Sequence, residues 1–554
     1  MGTLFTGGSV FDGHRHLSGH GLLVDDGSVA GVLDPGDLDE FDRRGPLDRG
    51  EHEVVDLAGG LVSPGFTDAH CHPIQGGLER MQCDLTEGGT RDEYLAMVRD
   101  YAAGHDGPWV LGGGWAMAAF TGGTPAAVDL DAVVPDRPAF LPNRDHHGAW
   151  VNSRALELAG ITAETPDPAD GRIERLPDGR PQGTLHEGAM DLVARLLPPL
   201  SPDDYAAGLL EGQRYLFSLG VTAWQDAIVG AYAGMADTGT SYRDAMANGD
   251  LLADVVGALW WDRELGLAQV TDLVRRRQAL SGGRFRATTV KIMQDGVCEN
   301  FTASMLTPYL DGHGHVTDNA GHSFVEAEEL QEVVVALAAE GFQVHVHAIG
   351  DRGTREALDA FAAARAAGGL DTLDQREDLR HHIAHLQVVH PDDVPRFAEL
   401  GVAANAQALW ACHEPQMDEL TIPFLGAERA TWQYPFGSLH RGGARLVMGS
   451  DWPVTSPDPL AAIHTAVTRT SYDDAREPFL PDQAVDLTTA FAAYTSGSAW
   501  INGRDRLDGA GVLAPGHAAD LVVLDRDPFT GPPDEIGASR VASTWVGGRA
   551  VHGR

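Results

Sequence analysis

Eight short runs of β-forming residues recur along the chain, and stretches rich in Ala, Leu, Glu and Arg separate them. The runs cover residues 61–70, 221–224, 253–259, 288–293, 342–347, 382–386, 402–405 and 445–448. Strands that alternate with helices predict a parallel sheet with an α/β fold. Eight such units predict a (β/α)8 barrel of the TIM type, whose active site lies where the strands end at the C-terminal face.

Two regions fall outside the eight units. About 150 residues separate the first two strands, far more than one crossover needs, so residues 76–200 are predicted to form an inserted, lid-like subdomain. Residues 1–61 contain short strands broken by turns, and one more strand follows a turn near the C-terminus. We therefore expect residues 1–61 and 508–554 to pair into a composite β-sandwich beside a barrel of residues 62–507.

The charge balance restricts the partners of the chain. There are 80 acidic and 40 basic residues, a formal net charge of −40, which repels nucleic acid and anionic membranes. No apolar run approaches the ~18 residues that cross a bilayer, and the first residues lack the features of a signal peptide. We expect a cytoplasmic protein with a small-molecule substrate, no nucleic-acid or membrane partner, and a homodimer as its assembly.

One basic residue differs from all the others, because 39 of the 40 are arginine and Lys291 is the single lysine. Arginine replaces lysine well as a surface charge but cannot supply a nucleophilic amine. Lys291 lies among apolar neighbours on the fourth predicted strand, where a lysine is costly unless its charge is lost or paired. Reaction with CO₂ would convert its amine into a carbamate that bridges two metals. The alternative is coincidence, in which the one lysine that was not replaced by arginine happens to be Lys291.

Potential metal ligands stand at the ends of several predicted strands. His70 and His72 are two residues apart after the first strand, so the alternation of a strand points both imidazoles to one face and suits chelation of a metal. His347 ends the fifth strand, His385 ends the sixth, and Asp451 follows the eighth. In a chain with 24 histidines, chance or core packing also produces such pairs. The joint placement at one end of the barrel favours a metal site.

Neighbouring residues have other interpretations. His345 lies on the same strand face as His347 but one step deeper, and we interpret it as packing or as support for the ligands. His381 and His382 are interpreted as structural residues. Cys71 stands between two candidate ligands, yet alternation points it to the opposite face, which indicates packing.

Several segments resemble the motifs of the amidohydrolase superfamily. They are residues 65–72, 290–296, 347–351, 385–387 and 449–453. The sequence looks most like the YtcJ-like branch, amidohydrolase family 3, which includes N-substituted formamide deformylases. Residues 514–525 are similar to the strand that closes the β-sandwich of that family. The resemblance covers nearly the whole chain.

The resemblance implies a (β/α)8 barrel with one or two divalent metal ions, commonly zinc. It assigns the ligands as His70, His72 and Asp451 for the more buried ion, His347 and His385 for the second, and the carbamate of Lys291 as the bridge. The extra His345 leaves the ligand of the fifth strand ambiguous, although the Ala-Ile-Gly-Asp sequence that follows His347 favours that residue.

Three further residues are predicted near the substrate. Residues 145–153 are similar to a family segment that carries a histidine close to the substrate, which favours His147 as a catalytic residue that holds the oxyanion. Trp115 belongs to a Gly-Trp pair similar to one in the family. Asp295, four residues past Lys291, is a further candidate for contact with the substrate. Each of the three residues has an alternative role. His147 and Trp115 could simply pack in the insertion, and Asp295 could be a turn residue.

The implied reaction is hydrolysis of a non-peptide C–N bond in a linear amide or N-substituted formamide. A hydroxide that bridges two metals attacks the carbonyl, and Asp451 carries the proton to the leaving nitrogen. A mononuclear deaminase or cyclic amidohydrolase, in which Lys291 is not a ligand, stays open as an alternative. The third hypothesis is a catalytically inactive scaffold. All the predicted ligand positions carry residues that can bind a metal, which counts against this hypothesis.

Overall fold

The computed structural model describes residues 2–43, 52–232, 235–368, 378–472 and 476–553. Its strands are β1 (Thr3–Thr6), β2 (Ser9–Phe11), β3 (His16–Leu17), β4 (Gly21–Asp25), β5 (Ser28–Leu33), β6 (Glu53–Asp56), β7 (Leu61–Pro64), β8 (Phe66–Cys71), β9 (Cys83–Asp84), β10 (Val110–Gly113), β11 (Ala139–Pro142), β12 (Gly148–Val151), β13 (Gly171–Arg175), β14 (Pro181–Glu187), β15 (Val221–Val229), β16 (Asp254–Trp260), β17 (Phe285–Met293), β18 (Gln343–Ala348), β19 (His382–His385), β20 (Ala403–Ala406), β21 (Leu446–Met448), β22 (Leu521–Leu524), β23 (Val541–Val546) and β24 (Arg549–His552).

Helices connect these strands and cover the sheets. They are α1 (Pro35–Arg43), α2 (Pro73–Arg80), α3 (Arg91–Gly104), α4 (Ala127–Asp131), α5 (Ser153–Ala159), α6 (Asp191–Ala194), α7 (Pro202–Ser218), α8 (Gly239–Asn248), α9 (Val270–Leu280), α10 (Ala327–Ala339), α11 (Asp351–Ala367), α12 (Val394–Leu400), α13 (Ile422–Leu425), α14 (Phe436–Arg441), α15 (Pro459–Thr468), α16 (Leu487–Ala492), α17 (Ser498–Ile501) and α18 (Arg504–Leu507).

Strand β8 and strands β15 to β21 form one eight-stranded sheet in which the strands follow chain order and every neighbouring pair is parallel. The carboxyl ends of its first and last strands are joined, because the N–H of Asp451 donates to the carbonyl of His70 across 2.7 Å. The N–H of His72 likewise donates to the carbonyl of Trp452 across 2.7 Å. These two hydrogen bonds bring the first and last strands of the sheet together at one end. The prediction of an α/β barrel is confirmed.

The first predicted strand is in fact two strands in different sheets. Strand β7 pairs with β2 and β22, whereas β8 begins the barrel, and Gly65 separates them. A Cβ atom on Gly65 would lie 2.4 Å from the side chain of Thr222. The close approach of these two segments therefore requires glycine at position 65. The prediction of one continuous strand over residues 61–70 was therefore wrong, because apolar periodicity does not reveal a bend.

A six-stranded sheet, in the order β13-β14-β12-β11-β10-β9, is inserted in the chain between barrel strands β8 and β15. Buried aromatic side chains fill its interior, with the rings of Trp115 and Trp150 6.2 Å apart. Strand β12 begins directly after His147, and β14 ends at Glu187. The pairing of these strands therefore brings both side chains to the same edge of the sheet.

Strands from both ends of the chain share a second six-stranded sheet, in the order β24-β23-β22-β7-β2-β3. Strands β5, β4, β1 and β6 form a separate four-stranded sheet. The rings of Phe5 and Trp545 meet edge to face at 5.2 Å and join the two sheets. Burial of such aromatic surfaces links the chain ends to each other beside the barrel.

Candidate active site

Three potential metal ligands meet where the first and last barrel strands end. His70 lies on β8, His72 follows it, and Asp451 follows β21. Oδ1 of Asp451 is 3.1 Å from Nε2 of His70 and 3.0 Å from Nε2 of His72. One ligand atom of each residue lies within 4.8 Å of the other two. Two imidazoles and a carboxylate at this spacing are a ligand set that zinc accepts.

Asp68 holds these ligands in place. Its Oδ1 accepts hydrogen bonds from the N–H groups of His70 and Ser450, each across 3.0 Å, and its Oδ2 accepts one from Oγ of Ser450 across 2.5 Å. Asp451 has a φ of 58°, a left-handed conformation that is costly for a residue with a side chain. The hydrogen bonds of Asp68 fix the loop that carries this carboxylate. Asp68 lies inside the motif of residues 65–72, but no role was predicted for it.

His347 and His385 extend the cluster along β18 and β19. Their ring centroids are 4.4 Å apart, and Nδ1 of His385 lies 3.9 Å from Oδ2 of Asp451. Nδ1 of His347 lies 3.1 Å from Oδ1 of Asp295, which also accepts from a backbone N–H of the loop after β18. This contact occupies Nδ1, so Nε2 of His347 is the nitrogen left for a metal. His385 itself is strained, with a φ of 80°.

Lys291 stands on β17 next to the same cluster. It is 2% exposed, and its Nζ lies 3.4 Å from Nε2 of His70. Burial lowers the pKa of Lys291 to about 7, and the charge of Asp451 only partly opposes this effect. A large fraction of the amine is therefore neutral at physiological pH, which is the form that can act as a nucleophile.

A chain of hydrogen bonds determines which nitrogen of His70 faces the cluster. Nε2 of Gln343 donates to two backbone carbonyls, so its Oε1 accepts from Nε2 of Gln225 across 3.0 Å. Oε1 of Gln225 accepts from Nδ1 of His345 across 2.7 Å, and Nε2 of His345 accepts from Nδ1 of His70 across 2.9 Å. Nε2 of His70 therefore carries no proton and presents its lone pair to Asp451.

The residues present fit a divalent metal. Two acceptors, Nε2 of His70 and Oδ1 of Asp451, face each other across 3.1 Å. Burial lowers the pKa of His70 to about 3, so this ring does not supply a proton between them at neutral pH. Nδ1 of His72 and Nδ1 of His385 are buried without a hydrogen-bond partner among the described residues. Imidazoles crowded around a carboxylate in this way are stabilised by a cation among them.

His147 approaches the cluster from the insertion. Its ring centroid lies 6.0 Å from that of His347, and its Nδ1 lies 2.9 Å from Oε2 of Glu187. Oγ1 of Thr302 donates to the other oxygen of Glu187 across 2.8 Å. Burial opposes a charged ring, but the Glu187 carboxylate outweighs it and raises the pKa of His147 to about 9. The ring is therefore an imidazolium at neutral pH, with Nε2–H free to donate.

Sequence reasoning missed Glu187. It lies 40 residues from His147, at the end of a different strand, and no recognisable motif surrounds it. Only the pairing of β12 with β14 brings the two side chains together.

A cavity of about 420 Å³ opens beside the cluster. Its polar lining includes Gln75, Glu79 and Glu187. Its apolar wall includes Leu111, Phe140, Met190, Tyr232, Trp260 and Trp261. A narrower cleft lined by His72 shares Gln75, Tyr232 and Met235 with the cavity. The cavity therefore lies next to the cleft that His72 lines and is positioned to hold part of a substrate.

The other two residues predicted near the substrate lie elsewhere. Trp115 is fully buried in the insertion, where its Nε1 donates to the carbonyl of Leu141 across 2.7 Å. Asp295 is fully buried behind His347, where its partners are the His347 ring and backbone N–H groups. Neither side chain is among those that line the cavity.

The motif residues therefore converge on one barrel mouth, and comparison with known proteins agrees with this arrangement. Residues 53–552 match the amidohydrolase family. The chain belongs to the amidohydrolase family. Its relatives and a solved structure narrow the assignment further.

Three relatives cover most of this amidohydrolase. Protein LONG AFTER FAR-RED 3 of Arabidopsis thaliana is 31% identical over 565 residues, which are 99% of this chain and 91% of the relative. YtcJ of Bacillus subtilis (strain 168) is 28% identical over 507 residues, 91% of each chain. The N-substituted formamide deformylase of Arthrobacter pascens is 29% identical over 518 residues, which are 90% of this chain and 89% of the relative. The YtcJ-like branch predicted from the motifs is confirmed.

A solved structure adds the metal dependence of the family. An uncharacterized metal-dependent hydrolase from Pyrococcus furiosus shares 26% of its sequence with this chain, with a TM-score of 0.68. The match covers 96% of this chain and 100% of that one. The chain is thus a metal-dependent hydrolase of the amidohydrolase family. Among the residues that the structure describes, no helix is both long and apolar enough to cross a membrane.

Proposed function

We propose that this amidohydrolase uses two divalent metal ions to cleave a linear non-peptide C–N bond, of the amide or N-substituted formamide type. The observation that carries the proposal is a single cluster of six side chains, formed by His70, His72, Lys291, His347, His385 and Asp451. The likeness to an N-substituted formamide deformylase supports the choice of bond. The cavity beside the cluster, about 420 Å³ in volume, has room for the substituent on the nitrogen.

The proposed ligands divide into two groups. His70, His72 and Asp451 would hold one ion, and His347 and His385 would hold the second. Lys291 would serve both groups as a carbamate, formed when its neutral amine adds to CO₂ and loses a proton. The buried position of Nζ beside His70 supports this role, because an unmodified cation there would be costly. Zinc suits a set of nitrogen and oxygen ligands of this kind.

Bound metal would supply a Lewis acid for the carbonyl oxygen and lower the pKa of a nearby water towards ~7. Asp451 performs the proton transfers, because its carboxylate lies at the centre of the cluster with oxygens directed to three imidazoles. It accepts a proton from the attacking water and returns it to the leaving nitrogen. The hydrogen bonds of Asp68 keep the Asp451 loop in position for both transfers.

His147 stabilises the negative charge that develops on the carbonyl oxygen. Its Nδ1 is held by Glu187, so the donor directed to substrate is Nε2–H. Because Glu187 keeps the ring protonated, this donor is charged, and charged donors stabilise an oxyanion more strongly than neutral ones.

A second candidate function rests on the compact group of His70, His72 and Asp451. Among the residues that the structure describes, these three each place one ligand atom within 4.8 Å of the other two, and together they suffice for a single ion. A mononuclear deaminase or cyclic amidohydrolase would use them without a modified lysine. Such an enzyme releases ammonia from a heterocycle or opens a ring, so its products differ from those of a linear amide.

The test is a substrate panel assayed with metal-loaded enzyme. It contains N-alkylformamides, N-alkylacetamides, cyclic imides and aminoheterocycles, with release of amine, acid or ammonia measured separately. Hydrolysis of the linear compounds, lost in Asp451→Asn, is the expected result. Turnover of only the heterocycles or cyclic compounds would replace the proposal with the mononuclear alternative.

A further inference from the structure

The cavity beside the cluster has an aromatic wall with an unused donor. The rings of Tyr232 and Trp260 lie 4.6 Å apart at an interplanar angle of 56° and form a corner of the cavity. Trp261 also lines it and is 2% exposed, yet its Nε1 has no hydrogen-bond partner among the described residues. A buried donor without a protein partner is usually satisfied by a bound molecule or water. The wall is therefore mostly apolar, with one donor that a water or an acceptor atom of the ligand would satisfy.

Carboxylates outnumber cations around this cavity. Glu187 is neutralised by His147, and Asp170 is neutralised by an ion pair with Arg263. Arg263 is the one lysine or arginine among the described residues that line the cavity, and its guanidinium also lies 4.8 Å from the Phe324 ring centre. No basic side chain of the lining is left to neutralise further carboxylates.

Glu79 also lines the cavity, where burial raises its pKa to about 8 and leaves it mostly uncharged at neutral pH. Three more carboxylates of the lining are Asp191, Asp262 and Glu264. The structure shows no ion pair between any of them and a basic side chain in the described ranges. They are exposed, so they lie at the mouth rather than on the inner wall. A molecule that enters therefore passes an acidic rim before it reaches the aromatic corner.

We propose that the cavity binds a nitrogen substituent that is apolar and ends in a positive charge. The substrate class is then a mono-N-formyl or mono-N-acyl derivative of a diamine, an inference that rests on the proposed function for the bond that is cleaved. Aromatic faces attract ammonium groups through cation–π interactions. Carboxylates that line a cleft raise the local concentration of cations and repel anions. A substituent that ends in a carboxylate is disfavoured by the same three side chains.

Turnover of a matched series tests the proposal. The series is N-formyl-1,6-diaminohexane, N-hexylformamide and 6-formamidohexanoate, which share a six-carbon chain and differ in terminal charge. On metal-loaded enzyme we expect kcat/KM to fall in that order, with about tenfold or more between the first and the last compound. Equal values, or a preference for the carboxylate, would overturn the proposal.

A triple variant and a matched control separate the rim from the overall charge of the protein. Asp191→Asn/Asp262→Asn/Glu264→Gln removes the three rim charges and is expected to lower the preference for the cation about fivefold or more. Glu340→Gln/Asp534→Asn/Glu535→Gln removes three exposed charges, none of them on a segment that lines the cavity, and keeps the preference. An equal loss in both variants would show that net charge, not the cavity, selects the cation.

Binding without turnover keeps this test independent of the reaction. Calorimetry on the metal-loaded enzyme compares hexyltrimethylammonium, which cannot bind a metal, with 1-hexanol. The cation is expected to bind about tenfold more tightly, and the rim variant alone loses this advantage. If none of the formamides is hydrolysed, the proposed function is wrong. The binding comparison still tests whether the cavity prefers a cation. Equal binding of the two ligands would overturn the cavity proposal whatever the turnover.

Discussion

Oε2 of Glu187 lies 2.9 Å from Nδ1 of His147, and this contact pairs two side chains at one edge of the inserted sheet. Oγ1 of Thr302, which follows barrel strand β17, donates to the same carboxylate. The carboxylate outweighs burial and raises the pKa of His147 to about 9. Because the folded-state pKa is raised, the charged donor is present below that value and is lost as the pH rises through it. For the native enzyme we expect kcat/KM to fall on the alkaline side at about pH 9.

The variant Glu187→Gln keeps the shape of the side chain and removes its charge. The pKa of His147 then falls towards or below the ordinary ~6.5 for histidine, and the alkaline limb of the pH–rate profile moves down with it. A matched pair of pH–rate profiles checks this expectation. An unchanged alkaline limb in the variant would show that His147 is not the titrating donor.

Replacement of Lys291 by arginine tests the bridging ligand. Arginine keeps the positive charge but forms no carbamate, so Lys291→Arg is expected to lose turnover while circular dichroism shows a native fold. Wild-type enzyme prepared without CO₂ should be less active and recover when bicarbonate is added. Turnover retained by the arginine variant would eliminate the carbamate.

Asp451→Asn separates proton transfer from metal binding. The amide keeps an oxygen that can coordinate a metal, but it does not accept a proton from water. We expect metal to remain largely bound and kcat to fall by about 10²- to 10⁴-fold, the usual contribution of a general acid–base residue. Rates close to those of the wild type would remove Asp451 from the proton-transfer role.

His345 is expected to act through His70, because its Nε2 accepts from Nδ1 of that ring across 2.9 Å. His345→Leu removes this acceptor and should weaken metal binding about 10- to 100-fold, with most of kcat restored at saturating metal. His381→Leu is the control, because Nδ1 of His381 accepts from the backbone N–H of Val344 and touches no predicted ligand. Equal losses of metal in the two variants would reduce His345 to a packing residue.

Much of the barrel was predictable because parallel strands and helices have distinct periodicities. The six predicted ligands also come together, since ligands at the ends of parallel strands meet at one face. The bend at Gly65 was not predictable, because it depends on the approach of Thr222 from a strand that lies far along the chain. A run of apolar residues indicates that a segment is buried, but it does not indicate which of two sheets the segment belongs to.

The supporting residues show the same limit. Sequence position suggested that His345 is packing or support, but the hydrogen bonds through Gln225 depend on the register of three strands. Glu187 carried no signal, because its role arises from the pairing of β12 with β14. Metal ligands that belong to a motif can be predicted from the sequence. The residues that orient those ligands cannot, because their positions depend on tertiary contacts.

The metal content of the purified protein tests the central claim most directly. Elemental mass spectrometry is performed on wild-type enzyme and on Lys291→Ala, both purified without chelator in buffer that contains bicarbonate. A two-metal site predicts about two divalent ions per wild-type chain and clearly fewer in the variant. One ion per chain, unchanged in Lys291→Ala, would contradict the two-metal account and favour the mononuclear enzyme.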